Sequence, residues 1–415
     1  MKIEKRILDF EQMGMGMFIH YGLFSLVGRG EKSPAFLHTM PWNEYCALPE
    51  KFSAEHFDAR QIARMAKQAG MRYIVLTSRH HDGFSLYDTC GLNTYDAPHS
   101  LAGRDLILEF VDACNEEGIV PFLYHTTIDW HEDSYKTNFP KYQKYLRQSV
   151  EVICTKYGTL GGLWFDGNWD RPDADWEEQA LYGMVRHYQP DAIIINNSGM
   201  GSLGKAGSEE LDSVTFEQHR ASPLDRNAMT KYLAAERCLT MNEHWGYSSR
   251  DFAYKSSASL IEDLCASRKV GANLLLNIGP KGDGSIPLIQ QGILEEIGNW
   301  MRIFGQAIYD GRPVGIEGKG KNFGLVGKDS TLYLFFHDIN MEGAWNEYMD
   351  AEKPGFGPQT FTGLPQVIDG IVWMDDGSKA KFTQDVDAHT VTVDCPKYQY
   401  GDNFVVRVAK CTMKS

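Results

Sequence analysis

One carboxylate ends an apolar run in the stretch GGLWFDGNWD, residues 161–170: Gly, Leu, Trp and Phe lead to Asp166, and Gly167 and Asn168 break the run. An acid so placed can cap a following helix, sit in a solvated loop, or offer an oxygen nucleophile from the tip of a rigid strand. Other apolar runs end in related residues. GMFIHYG brings His20, YIVLTSRH leads to His80 and His81, and IVPFLYHT brings Tyr124 and His125. AIIINN ends in Asn196 and Asn197, DSVTFEQ brings Glu217 with His219 just beyond, CLTMNEH brings Glu243 and His244 with Trp245 following, and NLLLNIGP holds Asn277. Many uncharged donors and acceptors beside tryptophans suit a sugar, whose hydroxyls need directional hydrogen bonds and whose C–H face lies on aromatic rings. Two carboxylates from different strands supply the nucleophile and the general acid/base that glycoside hydrolysis needs.

For those tips to meet, the runs must be strands of one sheet pointing the same way, with the chemistry at their carboxyl ends. Between most of them lie helix-like stretches such as DARQIARMAKQAG, GRDLILEFVDACNEEG and SSASLIEDLCASRKVG, closed by Gly as helices often are. Helices separating near-continuously apolar strands predict a parallel sheet covered on both faces, and eight strands predict a (β/α)₈-like, TIM-type barrel over residues 1–307. The segment SGMGSLGKAGSEELDS after the fifth strand is too rich in Gly for a full helix, so one crossover is expected to be degraded. Over 308–415 the texture changes to short β-rich runs between Gly, Asp and Pro turns, which predicts an antiparallel β-sandwich with Phe335, Phe336 and Trp373 in its core.

The net charge of −14 leaves no basic stripe for a nucleic acid, and no apolar run approaches a membrane span. The first 24 residues hold no apolar segment of signal-peptide length, so the expectation is a cytoplasmic protein; export would require a leader ahead of Met1. The eight cysteines are scattered without CxxC pairs and are expected to be reduced thiols. A homo-oligomer stays open. KGDGSIP and GGLW lack the Lys-Ser/Thr of a phosphate loop and are expected to be turns. As metal ligands, His20, His80, His81 and Asp166 form a poor set, because adjacent residues at a strand end point to opposite sides. No metal or cofactor is expected. Trp245 suits either stacking on a sugar or leaving group, or packing between barrel and loop.

The motifs FIHYG, SRHHDGFSLYDT, GLWFDG, LTMNEHWGY and ANLLLNIGPKGDGSIP, in this order between Met13 and Tyr309, resemble the α-L-fucosidase family of retaining glycosidases, glycoside hydrolase family 29. The resemblance implies a metal-independent exo-hydrolase of terminal α-linked L-fucose, acting on a fucosylated oligosaccharide or glycoconjugate by double displacement. It implies that Asp166 is the nucleophile, that His20, His80 and His81 bind the sugar's hydroxyls, and that Trp164 belongs to the pocket. Glu44 and Tyr45 in WNEYCAL stand where the family tends to carry a Glu-Trp pair, and Tyr124, with His125 as its alternative, matches the strand-three tyrosine. For the acid/base, LDSVTFEQHR resembles the segment that carries it, which points to Glu217; Glu243 is the rival and Glu236 the third choice. NNSGM places Ser198 where the family often has arginine, a cation that Arg220 could replace. A related sugar such as an α-L-galactoside, or a non-catalytic fucose-binding relative, are the alternatives.

Overall fold

The computed structural model describes residues 3–32, 37–197, 199–225, 229–343, 353–364 and 366–414. Its first sheet is a closed parallel barrel of eight strands in sequential order: β1 Met15–Ile19, β2 Tyr73–Arg79, β3 Val120–Thr126, β4 Gly162–Asp166, β5 Ile193–Asn197, β6 Ser213–Glu217, β7 Ala234–Thr240 and β8 Ala272–Ile278. β1 closes the ring by pairing with both β2 and β8, so that Phe18 lies opposite Val75 on one side and Asn277 on the other. Buried apolar faces drive the covering helices onto the barrel, and local caps define their ends. Asp58 and Asp105 accept from the backbone N–H of Gln61 and Leu108 at the starts of helices Ala59–Gln68 and Leu106–Glu117, and Gly118 ends the second in the left-handed conformation.

The barrel interior is packed by Phe18, Tyr73, Phe122, Tyr124, Trp164 and Ile195. Phe10, from the N-terminal helix Lys5–Glu11, packs against Tyr73 and Phe122 and plugs the amino ends of the strands. The glycines of GGLW serve this packing rather than a turn. Gly162 lies inside β4, and a Cβ there would fall 2.2 Å from the Phe122 ring. Among the described residues no helix lies between β5 and β6, as the Gly-rich crossover foretold, nor between β6 and β7. The seventh strand departs from expectation: it begins at Ala234 and ends at Thr240, so Glu243 and His244 lie beyond its tip and Glu236 lies within it.

The second sheet is antiparallel, with β9 Arg312–Gly318, β10 Phe323–Val326, β11 Leu332–Phe336, β12 Gly357–Thr362, β13 Ile368–Trp373, β14 Phe382–Asp385, β15 Thr390–Cys395 and β16 Arg407–Met413 in the order β13-β16-β11-β10-β9-β12-β15-β14. It forms a sandwich-like domain around Leu334, Phe336, Phe361, Trp373 and Val393; Phe335 is buried as well. Two compact units result, Met1–Lys255 with Asn273–Glu295, and Ser256–Ala272 with Glu296–Ser415. All eight cysteines are free thiols.

Candidate active site

Residues two apart on a strand share a face, so β4 turns Trp164 and Asp166 inward together while Phe165 packs outward against Tyr182. Asp166 thereby enters a cavity of about 490 Å³ at the carboxyl ends of the strands. His20, His80, His81, Tyr124, Trp164, Glu217 and Trp245 line the same cavity, as do Glu31, Lys32, Trp169 and Asn197.

The two acids are joined by one amide. Asn197, at the tip of β5, donates from Nδ2 to Asp166 Oδ1 at 3.3 Å and to Glu217 Oε2 at 2.8 Å. Thr215 in turn donates to Asn197 Oδ1 at 3.0 Å, which fixes the orientation of that amide. Asp166 also accepts from Trp169 Nε1 at 2.8 Å and from the Tyr124 hydroxyl at 3.0 Å, with His81 Nε2 at 3.5 Å. Burial alone would raise its pKa, but His81, Trp169 and Tyr124 together outweigh burial and hold the carboxylate below its ordinary range. Glu217 is moved the other way. Burial, and then the charge of Asp166, push it up, against the opposing pull of Asn197 and Lys32. Neighbouring carboxyls with pKa values driven apart divide into an ionised base or nucleophile and a protonated acid.

The histidines form the wall. His20 Nδ1 pairs with Asn277 Oδ1 at 2.7 Å, and Asn277 donates to the Trp245 carbonyl at 2.7 Å, tying β1, β8 and the loop after β7 together. His81 Nδ1 meets Thr126 Oγ1 at 2.6 Å, and the His80 ring stacks on Tyr124 at 5.5 Å. Burial, with the neighbouring histidines opposing the charged form, keeps His80 well below the usual range, and burial lowers His20 to about 4. Both are neutral imidazoles at neutral pH, able to donate and accept with hydroxyls. His80 and His81 reach the cavity together because β2 ends at Arg79, so strand alternation no longer applies to them. His125 faces away, bonded to Arg79 and Ser149, which leaves Tyr124 as the strand-three group in the pocket.

The model of the family described as Alpha-L-fucosidase matches residues 3–306. The chain belongs to the α-L-fucosidase family. The fucosidases are glycoside hydrolases, and the chain is similar to several of them. Plasma alpha-L-fucosidase of Rattus norvegicus is 30% identical over 332 residues, covering 72% of this chain and 70% of the relative. The solved alpha-L-fucosidase isoenzyme 1 of Paenibacillus thiaminolyticus superposes with a TM-score of 0.83 at 30% identity, covering 99% of each chain. An alpha-L-fucosidase of Bacteroides thetaiotaomicron, solved as a trapped covalent intermediate with 2-fluoro-fucosyl fluoride, shares the fold with a TM-score of 0.82 at 20% identity, covering 100% of this chain and 97% of its own.

Within this member of the fucosidase family the remaining sequence candidates stand apart from the cavity. Glu44 is exposed, and Tyr45 is buried with its hydroxyl on Asp82 at 2.5 Å, behind the turn that carries His81. Glu243 is exposed, three residues past the end of β7. Glu236 lies below the cavity floor and accepts from Tyr73 Oη at 2.6 Å and Trp164 Nε1 at 2.8 Å. Ser198 lies outside the described residues, and Arg220 is exposed and does not line the cavity. The acid that the sequence reading missed is Glu31, whose Oε2 accepts from the backbone N–H groups of Trp245 and Gly246 at 3.2 and 2.9 Å. Its only local sign is the Gly-rich stretch GRGEK, in which Gly30 has φ +79 and a Cβ would fall 2.6 Å from the His244 ring.

Proposed function

We propose that the protein hydrolyses terminal α-L-fucosides with retention of configuration. Asp166 attacks the anomeric carbon while Glu217 gives its proton to the leaving oxygen, forming a covalent fucosyl-enzyme. Glu217, now ionised, takes a proton from water, which attacks the same carbon and returns Asp166 as a free carboxylate. His20, His80, His81 and Glu31 would bind the sugar's hydroxyls, with Trp164 and Trp245 against its apolar faces.

The observation that carries this reading is the Asn197 amide shared between an acid held low and an acid pushed up. A one-nitrogen bridge is too short for the roughly 6.5–9.5 Å of an inverting pair and suits the roughly 5–5.5 Å of a retaining one. The covalent intermediate trapped in the Bacteroides enzyme of the same fold supports the same course. The test is Asp166→Ala assayed on an aryl α-L-fucoside. Turnover should fall by at least about 10⁴-fold, and added azide should restore it with β-L-fucosyl azide as product. Near-wild-type turnover by the variant rejects the proposal. A wild type more active on α-L-galactosides moves the substrate, not the mechanism.

A further inference from the structure

Among the described residues, three of the four donors around Asp166 belong to the barrel: Tyr124 from β3, Asn197 from β5, and His81 just past β2. The fourth does not. Trp169 sits in the single 3₁₀ turn Asn168–Asp170 at the cavity rim, with its side chain 39% exposed. Its Nε1–H nevertheless makes the shortest contact to the carboxylate, 2.8 Å to Oδ1. An indole so exposed can turn its N–H to water, unless something holds it. Asn168 donates to Glu178 at 2.6 Å, the Tyr135 hydroxyl donates to Asp170, and Arg171 donates to the Tyr135 carbonyl at 2.7 Å with its guanidinium over the Tyr135 and Phe139 rings. The indole is bounded by the edge of His81 at 5.6 Å and by Gly199, where a Cβ would lie 3.2 Å from Trp169 Cβ.

From this we infer that Trp169 is a positioning residue for the nucleophile, its indole N–H locking the Asp166 carboxylate in the orientation that faces the pocket. The inference rests on the fucosidase reading above. Rotation about the bond to a carboxylate is soft, so donors must set it. Without the indole, Oδ1 keeps, among the described residues, only the 3.3 Å contact to Asn197, longer than that amide's 2.8 Å bond to Glu217. Loss of the N–H therefore loosens the nucleophile and raises its proton affinity.

Trp169→Phe keeps an aromatic ring at an exposed site and removes only the donor. Its kcat/KM on an aryl α-L-fucoside should fall about 10- to 100-fold, with the acid limb of the pH profile moved to higher pH and the melting temperature preserved. The same factor should appear with α-L-fucosyl fluoride, whose leaving group has no ring to lie on an indole. A loss below twofold with the acid limb unmoved overturns the inference. So does a loss confined to the aryl substrate, which would make the ring a leaving-group surface instead. A second arm needs no turnover, and so separates this inference from the fucosidase reading. The emission difference between wild type and Trp169→Phe, followed against pH without substrate, should titrate at acid pH and become flat in Asp166→Asn; a flat wild-type difference also overturns it.

Discussion

A single amide nitrogen bridges the two acids, whose division of labour comes from burial and their other partners. Asn197 donates to both, yet its bond to Glu217 is the shorter, and that bond favours the ionised form of a group that must carry a proton. Asn197→Ala should therefore shift the alkaline limb of kcat/KM upward, because Glu217 loses a donor that lowers its pKa and keeps the charge of Asp166 beside it. The rate at the optimum should fall about 10- to 100-fold, the equivalent of about 1.5–3 kcal/mol for a hydrogen bond to a charged group. A pH–rate profile of the purified variant reads both effects, and an alkaline limb that stays in place would separate Asn197 from the acid/base.

At the scale of elements, the tip of β4 depends on one glycine. Gly167 has φ 129 and ψ −13, and a Cβ there would fall 2.5 Å from Ile128 Cγ1 and 2.7 Å from Thr127 Oγ1. Thr127 donates from both its N–H and its hydroxyl to the Asp166 carbonyl, so any side chain at 167 pushes the end of β3 off the tip that holds the nucleophile. Gly167→Ala should cost about 3 kcal/mol of stability through overpacking and a disfavoured backbone and lower kcat more than KM, measured by denaturation and steady-state kinetics side by side. Seven of the eight barrel strands were legible as apolar runs, and with them Asp166, Glu217, Tyr124 and the histidines. β7 was misplaced because AAERCLT carries Glu236 and Arg237 inside a strand, which hides its first half from any hydrophobicity reading and slides its apparent tip out to Glu243. Glu31 was illegible for another reason. Its burial comes from backbone N–H groups 214 and 215 residues away, and no local pattern encodes so distant a contact. Glu44 and Tyr45 do not line the cavity: the first is exposed and the second is buried with its hydroxyl on Asp82.

For the whole molecule, stability should depend on pH through carboxyls buried with unlike partners. Asp212 is held below its ordinary range: burial opposes this, but Arg6, Arg186 and Lys231 outweigh it, so its contribution is lost only as the solution becomes strongly acidic. Glu236 acts in the opposite sense. Fully buried, with the Tyr73 hydroxyl and the Trp164 indole donating to it, it is pushed up to about 7 from the 4.5 of an ordinary glutamate, and those hydrogen bonds recover only part of the burial cost. Between those two values the folded chain holds a proton that the unfolded chain has released, so stability falls as pH rises from 4.5 to 7, and above that the full cost of a buried charge persists. The size is on the order of 3 kcal/mol. Above the isoelectric point near 5.4, the growing net negative charge adds a weaker decline in the same direction through self-repulsion. Glu236→Gln isolates the contribution of the buried glutamate, because an amide reproduces the protonated acid, accepting from Trp164 while offering an N–H to the Tyr73 oxygen. At pH 5 the variant should match wild type in chemical denaturation, and at pH 8 it should be the more stable by roughly that amount. Parallel stability curves for the two proteins across this range would mean that Glu236 ionises in the folded barrel as readily as in water.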